Sequence, residues 1–150
     1  MTQIQNENDL LIISEQNTIL AAFFSKQEHV KLAYLFGSAA KGKAGKLSDV
    51  DIAVQFDDSL SKKEIFKLQL NLIGDIAALL KTDKVDLVAM NDAPLSLNYE
   101  IIKANHHLFV RDRMEKIDFE QRLMSRYLDR RYYERRAASE FLGKVAVKGI

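Results

Sequence analysis

Three aspartates are the residues of this sequence whose type and spacing are best suited to chemistry. Asp49 and Asp51 lie one residue apart, so both carboxylates point to the same face of an extended strand. Asp86 lies in the apolar stretch VDLV, where a carboxylate is costly to bury unless it is paired or bound to a metal ion. Carboxylates on neighbouring strands suit Mg²⁺, and two such ions about 4 Å apart hold the attacking and leaving oxygens of a displacement at phosphorus. The aspartates therefore predict a site for two Mg²⁺ ions and a phosphate-bearing substrate.

A Gly-Ser pair precedes the first two aspartates in the stretch LFGSAAKGKAGKLSDVDIAV. Gly37 has no side chain, so backbone amides can approach a phosphate there, and Ser38 adds a hydroxyl donor. Two interpretations of the lysines that follow stay open: Lys41 and its neighbours contact a triphosphate, or they belong to a solvated loop. Ser48, directly before Asp49, is a further candidate ligand of the nucleotide.

Four apolar stretches predict β-strands. In the second stretch apolar residues alternate with Asp49, Asp51 and Ala53, which indicates a strand with two different faces. The link between the first two strands is too short for a helical crossover, so we expect these strands to be antiparallel and the sheet to be mixed. The predicted strands are Val30–Phe36, Asp49–Gln55, Lys84–Met90 and His107–Val110.

Helices are predicted between and around these strands. Ser61 and Glu64 have the spacing of a capping box, in which each side chain accepts a hydrogen bond from the other residue's backbone at the start of a helix. Other helices are expected over about Glu15–Lys26, Leu97–Ala104 and Asp112–Phe141. The apolar stripe predicted for the helix after Ser61 is Ile65, Leu68, Leu72, Ile76, Leu79 and Leu80.

Composition and net charge exclude several kinds of partner and site. The chain has 150 residues, a net charge of +1 and no cysteine. A near-neutral protein has no global field to recruit nucleic acid or a membrane surface, and a chain without cysteine has no disulfides or thiolate metal sites. No stretch approaches the ~20 apolar residues of a membrane span. We therefore expect a cytoplasmic protein with no membrane partner.

The arginines are all at the end of the sequence, at or after Arg111, where tyrosines lie among them. Arginine and tyrosine are enriched at protein interfaces, and the same residues can stack on and contact nucleic acid. We therefore expect a protein partner and no direct binding of nucleic acid. The apolar residues of this tail expected to pack on the sheet are Ile117, Leu123, Met124 and Leu128.

The Gly-Ser pair, the Asp-Val-Asp motif and the later strand-borne aspartate together resemble the signature of the DNA polymerase beta-type nucleotidyltransferases. The sequences AYLFGSAAKG and SDVDIAV are similar to those of the minimal nucleotidyltransferase (MNT) group. The resemblance implies an α/β fold of the polymerase beta type, with a mixed sheet of about four strands flanked by helices and a C-terminal helix. Residues 1–111 would form the nucleotidyltransferase domain, and residues 112–150 an Arg/Tyr-rich helical tail of the same domain.

The resemblance also implies a role for each motif. Asp49 and Asp51 would bind both metal ions, while Asp86 would bind the catalytic ion and help to deprotonate the acceptor hydroxyl. Gly37 and Ser38 would hold the phosphates of ATP, together with Lys41 and Ser48 in the same loop.

Stand-alone MNT proteins of this size resemble the antitoxin of HEPN–MNT toxin–antitoxin pairs. That resemblance implies Mg²⁺-dependent transfer of AMP from ATP to a tyrosine hydroxyl of a HEPN ribonuclease toxin, with which the chain would form a hetero-oligomer. Two alternatives stay open. One is a non-catalytic module that masks the toxin, and the other is a nucleotidyltransferase that acts on a small molecule or an RNA end.

Overall fold

The computed structural model describes residues 15–37 and 50–147 of the chain. Within these ranges four strands form one sheet in the order β3-β2-β1-β4. The strands are β1 (Val30–Phe36), β2 (Val50–Phe56), β3 (Val85–Ala89) and β4 (His107–Val110). The helices are α1 (residues 15–25), α2 (Lys62–Leu80), α3 (Leu95–Ala104) and α4 (Arg113–Val147).

The sheet is mixed, as predicted. β1 runs antiparallel to β2 on one side and to β4 on the other. β3 runs parallel to β2, because α2 connects these two strands as a crossover. The sheet order therefore makes β3 and β4 the edge strands and places β2 between β1 and β3.

Helices cover both faces of the sheet. Successive side chains of β2 point to opposite faces, so neighbouring residues contact different helices. Ile52 and Val54 point to the face covered by α1 and α2, whereas Ala53 points to the face covered by α3 and α4. The first face is packed by Leu20, Phe24, Ile65, Leu72 and Ile76 of the helices, and the second by Ile101, Ile102 and Leu123.

The capping box at the start of α2 is confirmed. Ser61 Oγ accepts a hydrogen bond from Glu64 N at 3.1 Å, and Glu64 Oε1 accepts one from Ser61 N at 3.2 Å. The predicted apolar stripe of α2 is largely buried, but Leu79, in the last turn of the helix, is 44% exposed.

The expectation that the apolar residues of the tail pack on the sheet is wrong for most of them. Leu123 is buried, but Ile117, Met124 and Leu128 are exposed. Only the first part of α4 lies against α3 and the sheet, and residues 128–144 are exposed throughout. At 1.5 Å per residue, about 25 Å of this helix extends without covering the sheet.

Arg111 belongs to the folded body although the sequence groups it with the tail. Its guanidinium donates hydrogen bonds to four backbone carbonyls and lies 4.6 Å from the centre of the Phe109 ring. Because the carbonyls at the end of a helix have no partner within that helix, Arg111 holds the end of α1 against the start of β1. The accepting carbonyls are those of Phe24, Ser25, Gln27 and Val30.

A partly buried hydrogen-bonded cluster links α4 to β1. The fully buried Tyr34 donates its hydroxyl proton to Glu120 Oε2 at 2.8 Å, and Lys116 donates to Glu120 Oε1 at 2.9 Å. Burial, together with the hydrogen bond and negative charge of Glu120, raises the pKa of Tyr34 far above its ordinary value. The hydroxyl therefore remains a protonated donor in the folded protein.

We predict that Tyr34→Phe lowers the free energy of unfolding by about 1–2 kcal/mol at pH 7, because Glu120 loses one buried partner. Above pH 10 the unfolded wild-type chain releases the Tyr34 proton while the folded chain keeps it. Wild-type stability should then fall by up to about 1.4 kcal/mol per pH unit more steeply than that of the variant. Urea unfolding at pH 7, 10 and 11 measures both effects, with Tyr132→Phe on the exposed part of α4 as the control. Parallel curves for wild type and Tyr34→Phe above pH 10 would contradict the assignment.

Candidate active site

Two of the predicted aspartates lie side by side on the sheet. Asp51 of β2 is the register partner of Asp86 of β3 in the parallel pair. Directly opposed residues of neighbouring strands point to the same face, and such strands are about 4.8 Å apart. Each aspartate is the second residue of its strand, so both lie at the end of the sheet where β2 and β3 begin.

The register of β2 and β3 is held at both ends by backbone hydrogen bonds. Val50 N donates to Lys84 O at 2.8 Å at the start of the pair, and Met90 N donates to Val54 O at 2.8 Å at its end. Because the register is fixed on both sides of the aspartates, Asp51 and Asp86 keep their positions relative to one another.

Two side chains that the sequence analysis missed add to this pairing. The amide of Asn91 accepts from Phe56 N at 2.9 Å and donates to Phe56 O at 3.0 Å, which continues the β2–β3 contact beyond the strands. Gln69 of α2 donates to Leu87 O at 2.6 Å and ties the crossover helix to β3. An asparagine in a turn after a strand, such as Asn91, only weakly indicates that its side chain bonds to a neighbouring strand. A glutamine on a helix, such as Gln69, gives no indication of such a contact in the sequence.

Gly37 lies against the Asp51 carboxylate. β1 is antiparallel to β2 and therefore ends where β2 begins, with Phe36 opposite Asp51. Gly37 follows with φ of +75°, a conformation that favours glycine, and a Cβ at this position would overlap Asp51 Oδ2. The close approach of backbone to carboxylate therefore requires glycine at this position.

The expectation that Asp86 is buried is wrong. β3 is an edge strand, and Asp86 is exposed, whereas Asp51 is half-buried. The cost of burying a carboxylate consequently gives no argument for a metal at Asp86. Its register position beside Asp51 is the observation that brings it into the site.

Four candidate residues lie outside the described ranges: Ser38, Lys41, Ser48 and Asp49. The structure thus brings together Gly37, Asp51 and Asp86 and leaves the positions of the other four as predictions. Within residues 15–37 and 50–147, no three histidine or acidic side chains cluster in a way that could hold a metal ion. Of the three aspartates predicted to bind metal, Asp51 and Asp86 lie within these ranges and Asp49 lies outside them.

Comparison with known proteins identifies the family. Residues 17–114 match the family described as polymerase beta, nucleotidyltransferase. No curated protein matches the chain at a significant level. None of the helices in the described part of the chain has the length and apolar character that a membrane span needs.

Several solved structures have the same fold. A mutant of the toxin–antitoxin MntA–HpeT has 24% sequence identity and a TM-score of 0.62 over 85% of this chain and 98% of that chain. A toxin–antitoxin with AMP-PNP has 24% identity and a TM-score of 0.59, covering 91% of this chain and 98% of that chain. A tri-AMPylated Shewanella oneidensis HEPN toxin in complex with its MNT antitoxin has 22% identity and a TM-score of 0.55, covering 95% and 99%.

The family match covers most of the chain and includes the sheet, Gly37 and the paired aspartates. The solved structures independently have the same fold over nearly their full length. The chain therefore belongs to the polymerase beta nucleotidyltransferase family.

Proposed function

We propose that this chain is an antitoxin that transfers AMP from ATP to a tyrosine hydroxyl of a HEPN-type toxin and thereby neutralises it. The observation that carries the proposal is the in-register pair of Asp51 and Asp86, with the Gly37 backbone against Asp51, in a nucleotidyltransferase fold. Support for the toxin as acceptor comes from the similar structures, which include a toxin–antitoxin with AMP-PNP and a tri-AMPylated HEPN toxin with its MNT antitoxin.

The donor set fits Mg²⁺. Asp51 and Asp86 occupy opposed positions on neighbouring strands, and their hard carboxylate oxygens are the ligand type that Mg²⁺ prefers. Asp49 would add the third carboxylate. Bound Mg²⁺ would neutralise charge on the phosphates and lower the pKa of the acceptor hydroxyl.

Phosphate binding and proton transfer are assigned to different residues of the site. The backbone at Gly37 and the hydroxyl of Ser38 would bind the phosphates and orient the α-phosphorus. Asp86 is exposed at the sheet edge, so an acceptor on another protein can reach it, and it would accept the proton of the tyrosine hydroxyl. The tyrosine oxygen forms a bond to the α-phosphorus, the bond from that phosphorus to the bridging oxygen breaks, and pyrophosphate leaves.

The exposed part of α4 provides a surface for the toxin. We name the tail face as Met124, Leu128, Arg131, Tyr132, Arg135 and Leu142, which lie within an arc of about 100° and share one side of the helix. Its four apolar members are between 41% and 65% exposed. Large apolar side chains exposed along a helix are typical of a protein interface. Tyr133 and Phe141 are exposed as well, on other sides of α4.

The arginines of α4 also favour the tail face as the binding surface. Arg130 and Arg136 form ion pairs with Glu134 and Glu140 at 3.0 and 3.3 Å, on the other sides of the helix. Arg131 and Arg135 of the tail face form no such pair with any described residue. Their guanidinium groups are thus available for carboxylates of a partner.

Asp51→Asn should lower the rate of AMP transfer by about 100-fold or more, because a neutral amide is a poor Mg²⁺ ligand. Intact-mass analysis of the toxin co-expressed with each variant measures the added AMP units. Asp75→Asn, an exposed aspartate on α2, is the matched control and should retain transfer. If toxin co-expressed with wild-type chain carries no AMP but is still neutralised, the chain is a masking module and the enzymatic proposal is wrong.

Asp86→Asn should lower kcat much more than it raises the KM for ATP, because the proposed proton transfer occurs only in the transition state. Steady-state kinetics with purified toxin and varied ATP measure the two parameters. An unchanged kcat with a raised KM would instead assign Asp86 to nucleotide binding alone.

The double variant Arg131→Gln/Arg135→Gln should weaken toxin binding by about tenfold or more, since it removes both guanidinium groups from the tail face. Arg130→Gln/Arg136→Gln removes the same charge from the rest of the helix and should change affinity less than about threefold. Calorimetric titration at two salt concentrations compares the pairs. Equal weakening by both pairs, or loss of RNA binding with unchanged toxin affinity, would contradict docking through this face.

A further inference from the structure

A cavity of about 560 Å³ lies at the end of the sheet opposite to the paired aspartates. Gln55 near the end of β2 and Asn91 after β3 form part of its wall, under α3 and α4. Asp51 and Gln55 are four residues apart on one strand, or about 13 Å. Ala53 lies between them and is fully buried in the core beneath α3 and α4. The cavity is therefore separate from the candidate active site.

One side of the cavity is cationic. Arg122 and Arg126 lie on successive turns of α4 and both line it. Neither has a carboxylate partner among the residues that the structure describes, and the hydrogen bond from Arg122 Nε goes to the backbone oxygen of Asp118 at 3.3 Å. Two adjacent guanidinium groups without acidic partners suit a phosphate or carboxylate.

The other side offers hydrogen-bond acceptors. Asp58, after β2, and Asp92, after β3, both line the cavity and have no ion pair with another described residue. Asn98 of α3 is a wall residue that is 6% exposed, and its amide nitrogen donates to Met90 O at 2.8 Å. Its Oδ1 is buried without a hydrogen-bond partner among the described residues. An unpaired buried acceptor is costly, so the wall favours a molecule that brings hydroxyl or amine donors.

Apolar side chains also line the cavity. Leu95, Phe119 and Leu123 line the cavity, and its volume lies in the range of pockets that bind small molecules. Lys62 is a further cation of the wall. A ligand that matches the cations, the acceptors and the apolar residues carries an anionic group, several hydroxyl or amine donors and a flat apolar ring. A nucleoside monophosphate has all three, and carboxylates commonly accept hydrogen bonds from ribose hydroxyls.

We propose that this cavity is a second nucleotide site, separate from the candidate active site, which binds a nucleoside monophosphate. Arg122 and Arg126 bind the phosphate, Asp58 and Asp92 accept from the ribose hydroxyls, and the base lies on the apolar surface near Asn98. The proposal rests on the cavity wall and does not depend on the proposed AMP transfer.

Titration of the ¹⁵N-labelled protein with AMP in the presence of EDTA tests the proposal, with amide shifts locating the bound molecule. Saturable shifts at Asn91, Asp92 and Asn98 are expected, with smaller shifts at Gly37, Asp51 and Asp86. Arg122→Gln/Arg126→Gln should weaken AMP binding by about tenfold or more. Arg130→Gln/Arg136→Gln is the matched control on the same helix and should leave it unchanged.

A second pair of variants separates the nucleoside from the phosphate. Asp58→Asn/Asp92→Asn should weaken AMP binding while leaving any binding of inorganic phosphate unchanged or stronger. The proposal is overturned if AMP shifts only Gly37, Asp51 and Asp86, or if no saturable shift occurs at millimolar AMP. It is also overturned if inorganic phosphate alone reproduces the shifts and affinity of AMP, because the cavity then recognises an anion and not a nucleoside.

Discussion

The parallel register of β2 and β3 is the constraint on which the rest of the site depends. It alone places Asp51 beside Asp86, which are 35 positions apart in the sequence. A shift of one residue would turn Asp86 to the face covered by α2, since side chains alternate along a strand. The backbone bonds at both ends of the pair, the Asn91 amide and the Gln69 contact all oppose such a shift.

The sheet order then determines what each aspartate can do. β2 is an inner strand, so Asp51 is half-buried and has the Gly37 backbone on one side. β3 is an edge strand, so Asp86 is exposed to whatever approaches from outside. In the proposed function the inner carboxylate of Asp51 would hold a metal ion and the outer carboxylate of Asp86 would meet the acceptor. That arrangement would suit transfer to another macromolecule. The long exposed part of α4 is the second surface that we propose for binding that macromolecule.

Local patterns predicted most of the fold. The four strands, the mixed sheet and the capping box at Ser61 follow from alternation, loop length and cap chemistry, each of which depends on neighbouring residues. The exposure of Asp86 could not be predicted, because the sequence of a strand does not show whether it lies at a sheet edge. Nor does helical spacing distinguish apolar residues that pack on a sheet, such as Leu123, from those of the tail face. The bonds made by Arg111 and Asn91 join distant segments, so no local pattern reveals them.

In the proposed function Asp51 and Asp86 bind one metal–nucleotide complex at the end of the sheet next to Gly37. Addition of Mn²⁺ with a non-hydrolysable ATP analogue to the ¹⁵N-labelled protein tests it directly, because Mn²⁺ broadens the resonances of nearby amides. The strongest broadening is expected at Gly37, Asp51 and Asp86, with weaker broadening at Asn91 and Asn98 at the opposite end of the sheet, and this pattern should be lost in Asp51→Asn. Broadening centred elsewhere, or unchanged in Asp51→Asn, would contradict it.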